Sequence, residues 1–189
     1  MLSDISQLDS DFFIYLNNLG NPMWDWFWVN FTEKKNHIPL MLFLLFLVYR
    51  TIGLKKFFTS TAIIALMIVF TDQMTNLAKH GFLRPRPCRV EMLNNEIRFL
   101  LEYCGKYGFF SGHSSNSMAI AVMCTSLIKI KFPKAIYPLL VWAFCMGYSR
   151  IYVGVHYPGD VLTGFIFGAL SGFLFYKLYI IVIKRFNFN

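Results

Sequence analysis

Five long apolar segments limit what this chain can fold into. The segments are residues 36–54, 57–78, 114–130, 133–148 and 161–183. They approach the roughly 20 apolar residues that a helix needs to cross a lipid bilayer. Hydrophobic residues make up 56% of the 189-residue chain and charged residues 15%, whereas soluble domains carry about 25% charged residues. The sequence therefore predicts an all-α fold, a polytopic membrane helix bundle with five spans in one integral membrane domain.

The first 35 residues differ from the apolar segments that follow them. Residues 9–35 are rich in aromatic side chains, but Gly20 and Pro22 divide them into halves too short to cross a bilayer. The tryptophans beside this break are typical of a membrane–water interface. We expect residues 1–35 to form interfacial helices, with a sixth span as the alternative, and residues 36–189 to form the main bundle. The N-terminus lacks the features of a signal peptide, so we expect no leader to be removed.

Basic residues gather at one end of the predicted bundle. They lie in the joints after the first and third apolar segments and near the end of the chain, at Arg50, Lys55, Lys56, Lys129, Lys131, Lys134, Lys184 and Arg185. The positive-inside rule assigns this end to the cytoplasm. We therefore expect a cytoplasmic C-terminus, with residues 79–110 and 150–160 on the extracytoplasmic face. Topology and attraction to anionic lipid head groups account for the net charge of +8, so no nucleic-acid partner is expected.

A short stretch between the last two apolar segments carries the most informative polar residues. It contains Ser149, Arg150, His156 and Asp160. A bilayer tolerates such groups mainly where they have a partner or a function. The planar fork of arginine suits phosphate and carboxylate oxygens, so the expected ligand is an anion. For Asp160 the structural alternative is an N-cap of the fifth membrane helix.

Two further polar clusters are predicted on the same membrane face. Lys79 and Arg86 follow the second apolar segment, and Ser111, Gly112 and His113 precede the third. Taken singly, the two cations would be snorkelling side chains at a helix end, and Ser111 would be an N-cap. Three clusters on one face are better explained by a shared site.

Together the clusters resemble the signature of a known enzyme family. Its parts here are Lys79-x6-Arg86-Pro87, Ser111-Gly112-His113 and Ser149-Arg150-x5-His156-x3-Asp160. They are similar to the three motifs of the type 2 phosphatidic acid phosphatase superfamily, which includes bacterial membrane lipid phosphatases and the vanadium haloperoxidases. The chain departs from the usual pattern at Phe110, where the family commonly has a proline. This departure concerns the geometry of the loop.

The resemblance implies a role for each matching residue. His156 would attack phosphorus and form a phosphohistidine, while Asp160 would hold its imidazole ring. His113 would protonate the leaving oxygen. The phosphate oxygens would be bound by Lys79, Arg86, Ser111, Gly112 and Arg150. This scheme requires no metal ion and no other cofactor.

The resemblance also implies a function. We expect a multi-pass phosphatase of the bacterial inner membrane that removes a terminal phosphate from a lipid at the extracytoplasmic surface. Undecaprenyl diphosphate is the favoured substrate, and phosphatidylglycerophosphate, phosphatidic acid and lipid A are the alternatives. The membrane spans disfavour a vanadate-dependent peroxidase. The intact His113, His156 and Asp160 disfavour a non-catalytic lipid-binding or transport protein. The sequence leaves the oligomeric state open.

Polar residues in and after the second apolar segment would support this site. Asp72, Asn76 and Lys79 are spaced i, i+4 and i+7, so they share one helix face. We expect Asp72 to be a buried partner of a site cation, with a hydrogen bond between helices as the alternative, and Ser149 to have a supporting role. Arg84 is an additional cation, for which a solvated position is expected over contact with a second phosphate.

The segment before the third apolar segment contains one more candidate element. Residues 91–104 have an apolar side that predicts a short amphipathic helix, which would cover the site. Cys88 and Cys104 bracket this helix on the face where disulfides persist. A disulfide between them is one expectation, and two free thiols are the other.

Overall fold

The computed structural model describes residues 2–93 and 95–186, and the regular structure of this part is helical. Its α-helices are α1 (Leu2–Asn18), α2 (Pro22–Thr32), α3 (Ile38–Ile52), α4 (Leu54–Phe82), α5 (Gly112–Ile128), α6 (Ile136–Tyr152) and α7 (Pro158–Arg185). Short 3₁₀ helices are Lys34–His37, Pro87–Arg89, Glu91–Leu93 and Pro133–Ala135. Pro85 and Tyr107 form an isolated β-bridge. The predicted all-α fold is confirmed.

Helices α4 and α7 are long and apolar enough to cross a membrane. They have 29 and 28 residues. At about 1.5 Å per residue, each exceeds the roughly 30 Å thickness of the hydrocarbon core. Leu66 and Val69 of α4 and Leu170 and Leu174 of α7 are exposed, as side chains that face lipid would be. Helices α3, α5 and α6 have 15, 17 and 17 residues, so a total of five spans remains a prediction.

The helices follow the predicted apolar segments with shifts of a few residues. Helix α3 ends at Gly53, which has a φ of 77°, a conformation that favours glycine. The fourth segment is shifted along the chain, because Pro133 begins a 3₁₀ turn and α6 runs from Ile136 to Tyr152. As a result, Arg150 lies in the last turn of α6 and not in the predicted loop.

Helix α5 lies at the centre of the bundle, and most of its residues are buried. It packs along α7, where the i, i+4 spacing of Gly164, Gly168 and Gly172 predicts that another helix can approach closely. An added Cβ at Gly168 would lie 2.2 Å from the carbonyl oxygen of Ser115, and one at Gly172 would lie 2.6 Å from that of Ala119. The predicted close approach is confirmed.

Gly168→Ala is expected to destabilise the bundle. The added methyl group would have to displace the backbone of Ser115, and overpacking of this kind costs about 1–3 kcal/mol. Gly81→Ala is the matched control, because a Cβ at Gly81 in α4 would meet nothing within 4 Å. Thermal unfolding of both variants in the same detergent measures the difference. A Gly168→Ala protein that unfolds no earlier than the Gly81→Ala protein would contradict this packing.

The N-terminal helices pack on the end of α6 that leads into α7. Phe13 of α1 is fully buried, and its ring meets the Tyr157 ring edge-on with 5.4 Å between centroids. The side-chain amide of Asn17 donates a 2.9 Å hydrogen bond to the carbonyl oxygen of Tyr152. These contacts bring α1 next to the segment that carries His156. The interfacial position of residues 1–35 remains a prediction.

The amphipathic helix predicted for residues 91–104 is wrong. The described part of this segment has the 3₁₀ turn Glu91–Leu93, followed by turns and irregular structure from residue 95 onward. Cys88 and Cys104 are joined by a disulfide, and their Cα atoms lie 6.2 Å apart. A helix rises about 1.5 Å per residue, so an unbroken helix would carry its ends too far apart for this link. The segment is therefore a closed loop.

Candidate active site

Residues from the three predicted clusters meet around one cavity of about 200 Å³. Its lining residues are Lys34, Asp72, Thr75, Asn76, Lys79, Arg86, Gly112, His113, Arg150 and His156. The sequence predicts all of these except Lys34 and Thr75. Three other predicted residues, Ser111, Ser149 and Asp160, are fully buried and lie behind this lining, where they hold the residues that form it.

The lining carries an excess of positive charge. Lys34, Lys79, Arg86 and Arg150 are present with one lining carboxylate, that of Asp72. A concave surface with this balance attracts an anion. Within the described residues, no group of three or more His, Cys, Asp or Glu side chains is arranged to hold a metal ion.

Helix α4 supplies one wall of the cavity. Asp72, Thr75, Asn76 and Lys79 follow one another at i, i+3, i+4 and i+7, which places them on one helix face. Thr75 is nearly fully buried, and its hydroxyl donates a 2.7 Å hydrogen bond to the carbonyl oxygen of Thr71. The helical spacing that identifies the other three residues also fits Thr75.

Asp72 is bound to the neighbouring helix. Its Oδ1 accepts a 2.7 Å hydrogen bond from the side-chain amide of Asn116 in α5. The hydroxyl of Thr71 donates in turn to the Oδ1 atom of Asn116. The structure therefore has the hydrogen bond between helices that is the alternative prediction for Asp72. This bond aligns the α4 wall with the start of α5.

The first turn of α5 forms a second wall. Ser111 is the N-cap, because its hydroxyl oxygen accepts from the Ser114 backbone N–H at 3.4 Å and from the Ser114 hydroxyl at 2.9 Å. This matches the structural alternative for Ser111, whose side chain does not line the cavity. Gly112 and His113 do line it. The unpaired N–H groups and the positive end of the helix dipole at such a terminus favour an anion.

Phe110 occupies the position where the family that the three motifs resemble usually has a proline. Its side chain is buried, and its ring centroid lies 4.9 Å from that of Phe167 in α7. The next residue, Ser111, donates its backbone N–H to the carbonyl oxygen of Asp160 at 3.0 Å. Packing and this hydrogen bond thus hold the loop where a proline would otherwise restrict it.

Arg150 projects from the end of α6 and is held by α2. It is 7% exposed, and its Nη1 donates to the hydroxyl oxygen of Thr32. The Ser149 hydroxyl contacts the same Thr32 oxygen at 3.0 Å, which is the supporting role expected of Ser149. The Nε atom of Arg150 has no hydrogen-bond partner among the described residues. The guanidinium group therefore retains a buried donor for an anion.

His156 and Asp160 form a buried pair at the start of α7. Nδ1 of His156 lies 3.4 Å from Oδ2 of Asp160, which also accepts the backbone N–H of Tyr157 at 3.1 Å. Asp160 is the N3 residue of a capping box whose N-cap is Tyr157, so the N-cap lies three residues before the position predicted for it. We assign the imidazole proton to Nδ1, because its partner is a carboxylate. Nε2 of His156 then keeps a free electron pair.

The surroundings of His156 keep its imidazole neutral. The side chain is 2% exposed. Burial, followed by the positive charges of Arg86, Arg150 and Lys79, holds its pKa well below the usual range, although a hydrogen bond to the Gly108 backbone acts in the opposite direction. A histidine with a lowered pKa stays unprotonated at neutral pH, as a nucleophile must.

Arg84 is partly exposed, but it is held by two carboxylates and does not point into the cavity, so it is not the freely solvated residue that the sequence predicts. Its guanidinium group forms salt bridges with Asp160 at 2.8 Å and with Asp9 of α1 at 2.7 Å. It also lacks a place in the lining of the polar cavity. Arg84 lies behind the site and links Asp160 to the N-terminal helix. The sequence has no local signal for the role of Asp9.

The loop closed by the disulfide positions Arg86. Nε of Arg86 donates a 3.0 Å hydrogen bond to the carbonyl oxygen of Tyr107. A Cβ added at Gly105 would lie 3.1 Å from the Arg86 guanidinium carbon, so the loop backbone packs directly on this side chain. The disulfide between Cys88 and Cys104 links the part of the chain that carries Arg86 to the part that carries Gly105.

An apolar cavity of about 350 Å³ adjoins the polar one. The two cavities share Lys34, Asp72 and His113. The remaining lining residues of the apolar cavity come from five helices, and they are His37, Met41, Ile68, Asn116, Ser117, Ile120, Trp142 and Met146. Lys34 therefore lies at the junction of the polar and the apolar cavity. The sequence does not predict this position.

Known proteins resemble this chain over most of its length. The family model described as the PAP2 superfamily matches residues 59–181. A lipid A 4'-phosphatase from Bacteroides thetaiotaomicron is 33% identical over 183 residues, covering 93% of this chain and 79% of that protein. An undecaprenyl-diphosphatase from Bacillus subtilis is 29% identical over 96 residues, covering 51% of this chain and 46% of that protein.

A solved structure has the same fold. It is a transmembrane PAP2 type phosphatidylglycerolphosphate phosphatase from Bacillus subtilis, with a TM-score of 0.75 and 21% sequence identity. The match covers 97% of this chain and 89% of the other. The likeness thus includes the N-terminal helices α1 and α2, which lie outside the three motifs.

Proposed function

Because the chain belongs to the PAP2 superfamily of lipid phosphatases, we propose that it removes a phosphate from lipid A in the bacterial inner membrane. A relative named as a lipid A 4'-phosphatase matches nearly the whole chain. Undecaprenyl diphosphate, which the sequence alone favours, has weaker support, since the undecaprenyl-diphosphatase matches about half of the chain. Undecaprenyl diphosphate is therefore the second candidate.

One observation carries this proposal. His113 and His156 line a single cavity together with Lys79, Arg86 and Arg150. A nucleophile, a proton donor and several cations are the kinds of group that phosphoryl transfer requires. A protein that only binds lipid phosphate would need the cations but neither imidazole. The combination of two imidazoles with several cations therefore supports an enzyme over a protein that only binds lipid phosphate.

In the first step, Nε2 of His156 attacks the phosphorus atom. A bond forms between nitrogen and phosphorus, and the bond between phosphorus and the lipid oxygen breaks. The imidazole of His113, which is protonated when the anionic phosphate lies beside it, gives that proton to the lipid oxygen, so the lipid leaves as an alcohol. Asp160 accepts the hydrogen bond from Nδ1 and stabilises the positive charge on the phosphorylated His156 ring.

In the second step, a water molecule attacks the phosphohistidine. His113, now unprotonated, takes a proton from this water while the bond between nitrogen and phosphorus breaks. Inorganic phosphate leaves, and both histidines return to their first state. The two displacements replace one very slow direct hydrolysis.

The cations of the cavity act on the transferring phosphoryl group. Its equatorial oxygens carry the charge in the transition state, where fixed positive groups are most effective. Lys79, Arg86 and Arg150 supply three such groups, and the first turn of α5 at Gly112 and His113 supplies backbone N–H groups. The buried, unpaired Nε of Arg150 supports this role.

The apolar cavity supports a lipid as the substrate. Since it shares Lys34 and His113 with the polar cavity, one molecule can extend from the first into the second. We infer that acyl chains enter sideways between the helices while the phosphate stays at head-group depth. With the basic joints in the cytoplasm, the site faces the extracytoplasmic side and the C-terminus is cytoplasmic.

Phosphate release from a panel of lipids tests the proposal. The purified full chain, in detergent with a chelator, receives lipid A, undecaprenyl diphosphate, phosphatidylglycerophosphate or phosphatidic acid. We expect lipid A to give the highest kcat/KM. We also expect mass spectrometry of the product to show that the phosphate at the 4' position has been lost.

His156→Ala, prepared in the same way, is the control for contaminating phosphatases. Equal release from lipid A by both proteins would refute an activity at this site. A higher kcat/KM for undecaprenyl diphosphate would make the second candidate the substrate. Loss of activity in chelator, with recovery on addition of a divalent ion, would contradict the metal-free scheme.

A further inference from the structure

Arg84 connects the N-terminal helix to the carboxylate beside His156. Its Nη1 donates to Oδ1 of Asp160 at 2.8 Å, and its Nη2 donates to Oδ2 of Asp9 at 2.7 Å. The Arg84 side chain is 24% exposed and that of Asp9 15%, whereas the Asp160 side chain is fully buried. The guanidinium carbon also lies 4.1 Å from the centroid of the Tyr157 ring. These contacts restrict Arg84 to one orientation.

The two oxygens of Asp160 have different partners. Oδ2 accepts the backbone N–H of Tyr157 and lies 3.4 Å from Nδ1 of His156. Oδ1 is bound by Arg84. Because Arg84 binds the oxygen that His156 does not use, it determines how the carboxylate is rotated toward the imidazole ring.

Asp9 holds Arg84 in this position. One oxygen of Asp9 accepts from Arg84, and the other accepts the backbone N–H of Gly159 at 2.8 Å. Gly159 directly precedes Asp160 in the first turn of α7. A Cβ added at Gly159 would lie 2.7 Å from Oδ2 of Asp9, so α1 approaches this turn closely. The contacts form a closed ring from Asp9 through Arg84 and Asp160 back to the α7 backbone.

The charges of the three side chains explain why both Asp9 and Arg84 are present. A fully buried carboxylate is costly unless it is paired, and Arg84 supplies the opposite charge to Asp160. Two carboxylates and one guanidinium leave a net charge of about −1 on the group. Asp9 thus allows Asp160 to remain paired while it keeps its attraction for the positive ring of phosphorylated His156.

We propose that Asp9 and Arg84 are positioning residues for the nucleophile, which they orient through Asp160. The proposal rests on the phosphatase function proposed above. It gives α1, which contains none of the three motifs, a part in the reaction. Since neither residue lines the polar cavity, their loss should affect the rate of the chemical step and not the binding of the substrate.

Measurement of kcat and KM for variants of the full chain tests this inference. Arg84→Gln is expected to lower kcat about 10- to 100-fold and to change KM less than about threefold. Arg84→Lys retains the charge and should recover part of kcat. Asp9→Asn weakens the hold on Arg84 and should lower kcat about three- to tenfold.

Two matched controls come from the same elements. Asp11→Asn changes an exposed carboxylate of α1 whose side chain accepts from Gln7. Arg89→Gln changes a cation in the connection between α4 and α5, which also contains Arg84, and this cation donates to the carbonyl oxygen of Cys104. Both variants should keep the wild-type kcat, because neither contacts Asp160.

The double variant Asp9→Asn/Arg84→Gln shows whether Asp9 acts on kcat through Arg84 or independently of it. If Asp9 acts through Arg84, the double variant has the kcat of Arg84→Gln alone. If the two losses multiply, the residues act independently and the inference is overturned.

Unfolding temperatures and an aryl phosphate as a second substrate distinguish three outcomes: failure of the proposed function, failure of this inference and failure of a variant to fold. A wild-type protein that releases phosphate from neither a lipid nor an aryl phosphate refutes the proposed function. An active wild type with Arg84→Gln within about twofold of Arg89→Gln in kcat overturns this inference alone. Should Arg84→Gln fail to fold, Asp9→Asn decides: a lowered kcat at an unchanged unfolding temperature supports the inference, and an unchanged kcat overturns it.

Discussion

His156→Ala is expected to slow phosphate release from lipid A by at least about 10⁴-fold. Without the imidazole no phosphohistidine forms, and water must attack the lipid phosphate directly. Single-turnover kinetics of the purified full chain measure the loss. His80→Gln is the matched control, because His80 is an exposed histidine at the end of α4 that lines neither the polar nor the adjoining apolar cavity. It should keep the wild-type rate.

The environment of His156 is the reason for so large an effect. The side chain is buried, and nearby cations together with burial lower its pKa, so the neutral ring is ready to attack. Its Nδ1 faces Asp160 at 3.4 Å, which leaves Nε2 for phosphorus. A loss of less than about tenfold would mean that another group performs the attack.

The covalent intermediate gives the same prediction a second measurement. Wild-type protein quenched during turnover of labelled lipid should carry phosphate on the peptide that contains His156. The His156→Ala protein should carry no label there. Label on one other peptide in both proteins would identify a different nucleophile.

Most of the residues that line the polar cavity could be predicted from the sequence, because the chemistry expected of them restricts both residue type and spacing. Lys79 and Arg86 lie at one helix end, Gly112 and His113 begin the next, and His156 follows α6. Each occupies a helix terminus or the loop beside it, where a local pattern also determines the position in space. Their meeting around one cavity agrees with the predicted alternation of the apolar segments, which places the three clusters on one face.

Two residues behind this lining, Asp9 and Thr32, could not be predicted, because their partners are distant in the chain. Thr32 contacts Arg150 across 118 positions, and Asp9 contacts Arg84 across 75 positions. Neither has a motif or a helical spacing that marks it as functional. A threonine at the end of an aromatic-rich helix is an ordinary residue until the fold brings Arg150 to it.

The segment 91–104 shows a different limit of the sequence. Its apolar residues have helical spacing, yet the disulfide between Cys88 and Cys104 holds its ends together. The backbone N–H of Leu100 donates instead to the carbonyl oxygen of Val153. Tertiary constraints of this kind override local propensity, whereas the long apolar stretches within α4 and α7 are enough to predict long helices.

His113→Asn is expected to slow release from lipid A by about 10²–10⁴-fold, but to slow release from a nitrophenyl phosphate much less. A sugar hydroxyl leaves poorly unless a proton reaches its oxygen as the bond to phosphorus breaks. A nitrophenolate is stable without that proton. His113 lines the same cavity as His156, so its imidazole can serve the leaving oxygen of the phosphoryl group that His156 attacks.

The ratio of kcat/KM for the two substrates measures this effect. In the wild type, proton donation by His113 raises kcat/KM for lipid A. His113→Asn lacks this contribution, so the ratio should shift strongly toward the nitrophenyl phosphate. His156→Ala is the comparison, because the nucleophile is needed for both substrates and its loss should leave the ratio nearly unchanged. Equal losses on both substrates in His113→Asn would show that His113 binds the phosphate without donating a proton. The second step would then need another base to activate water.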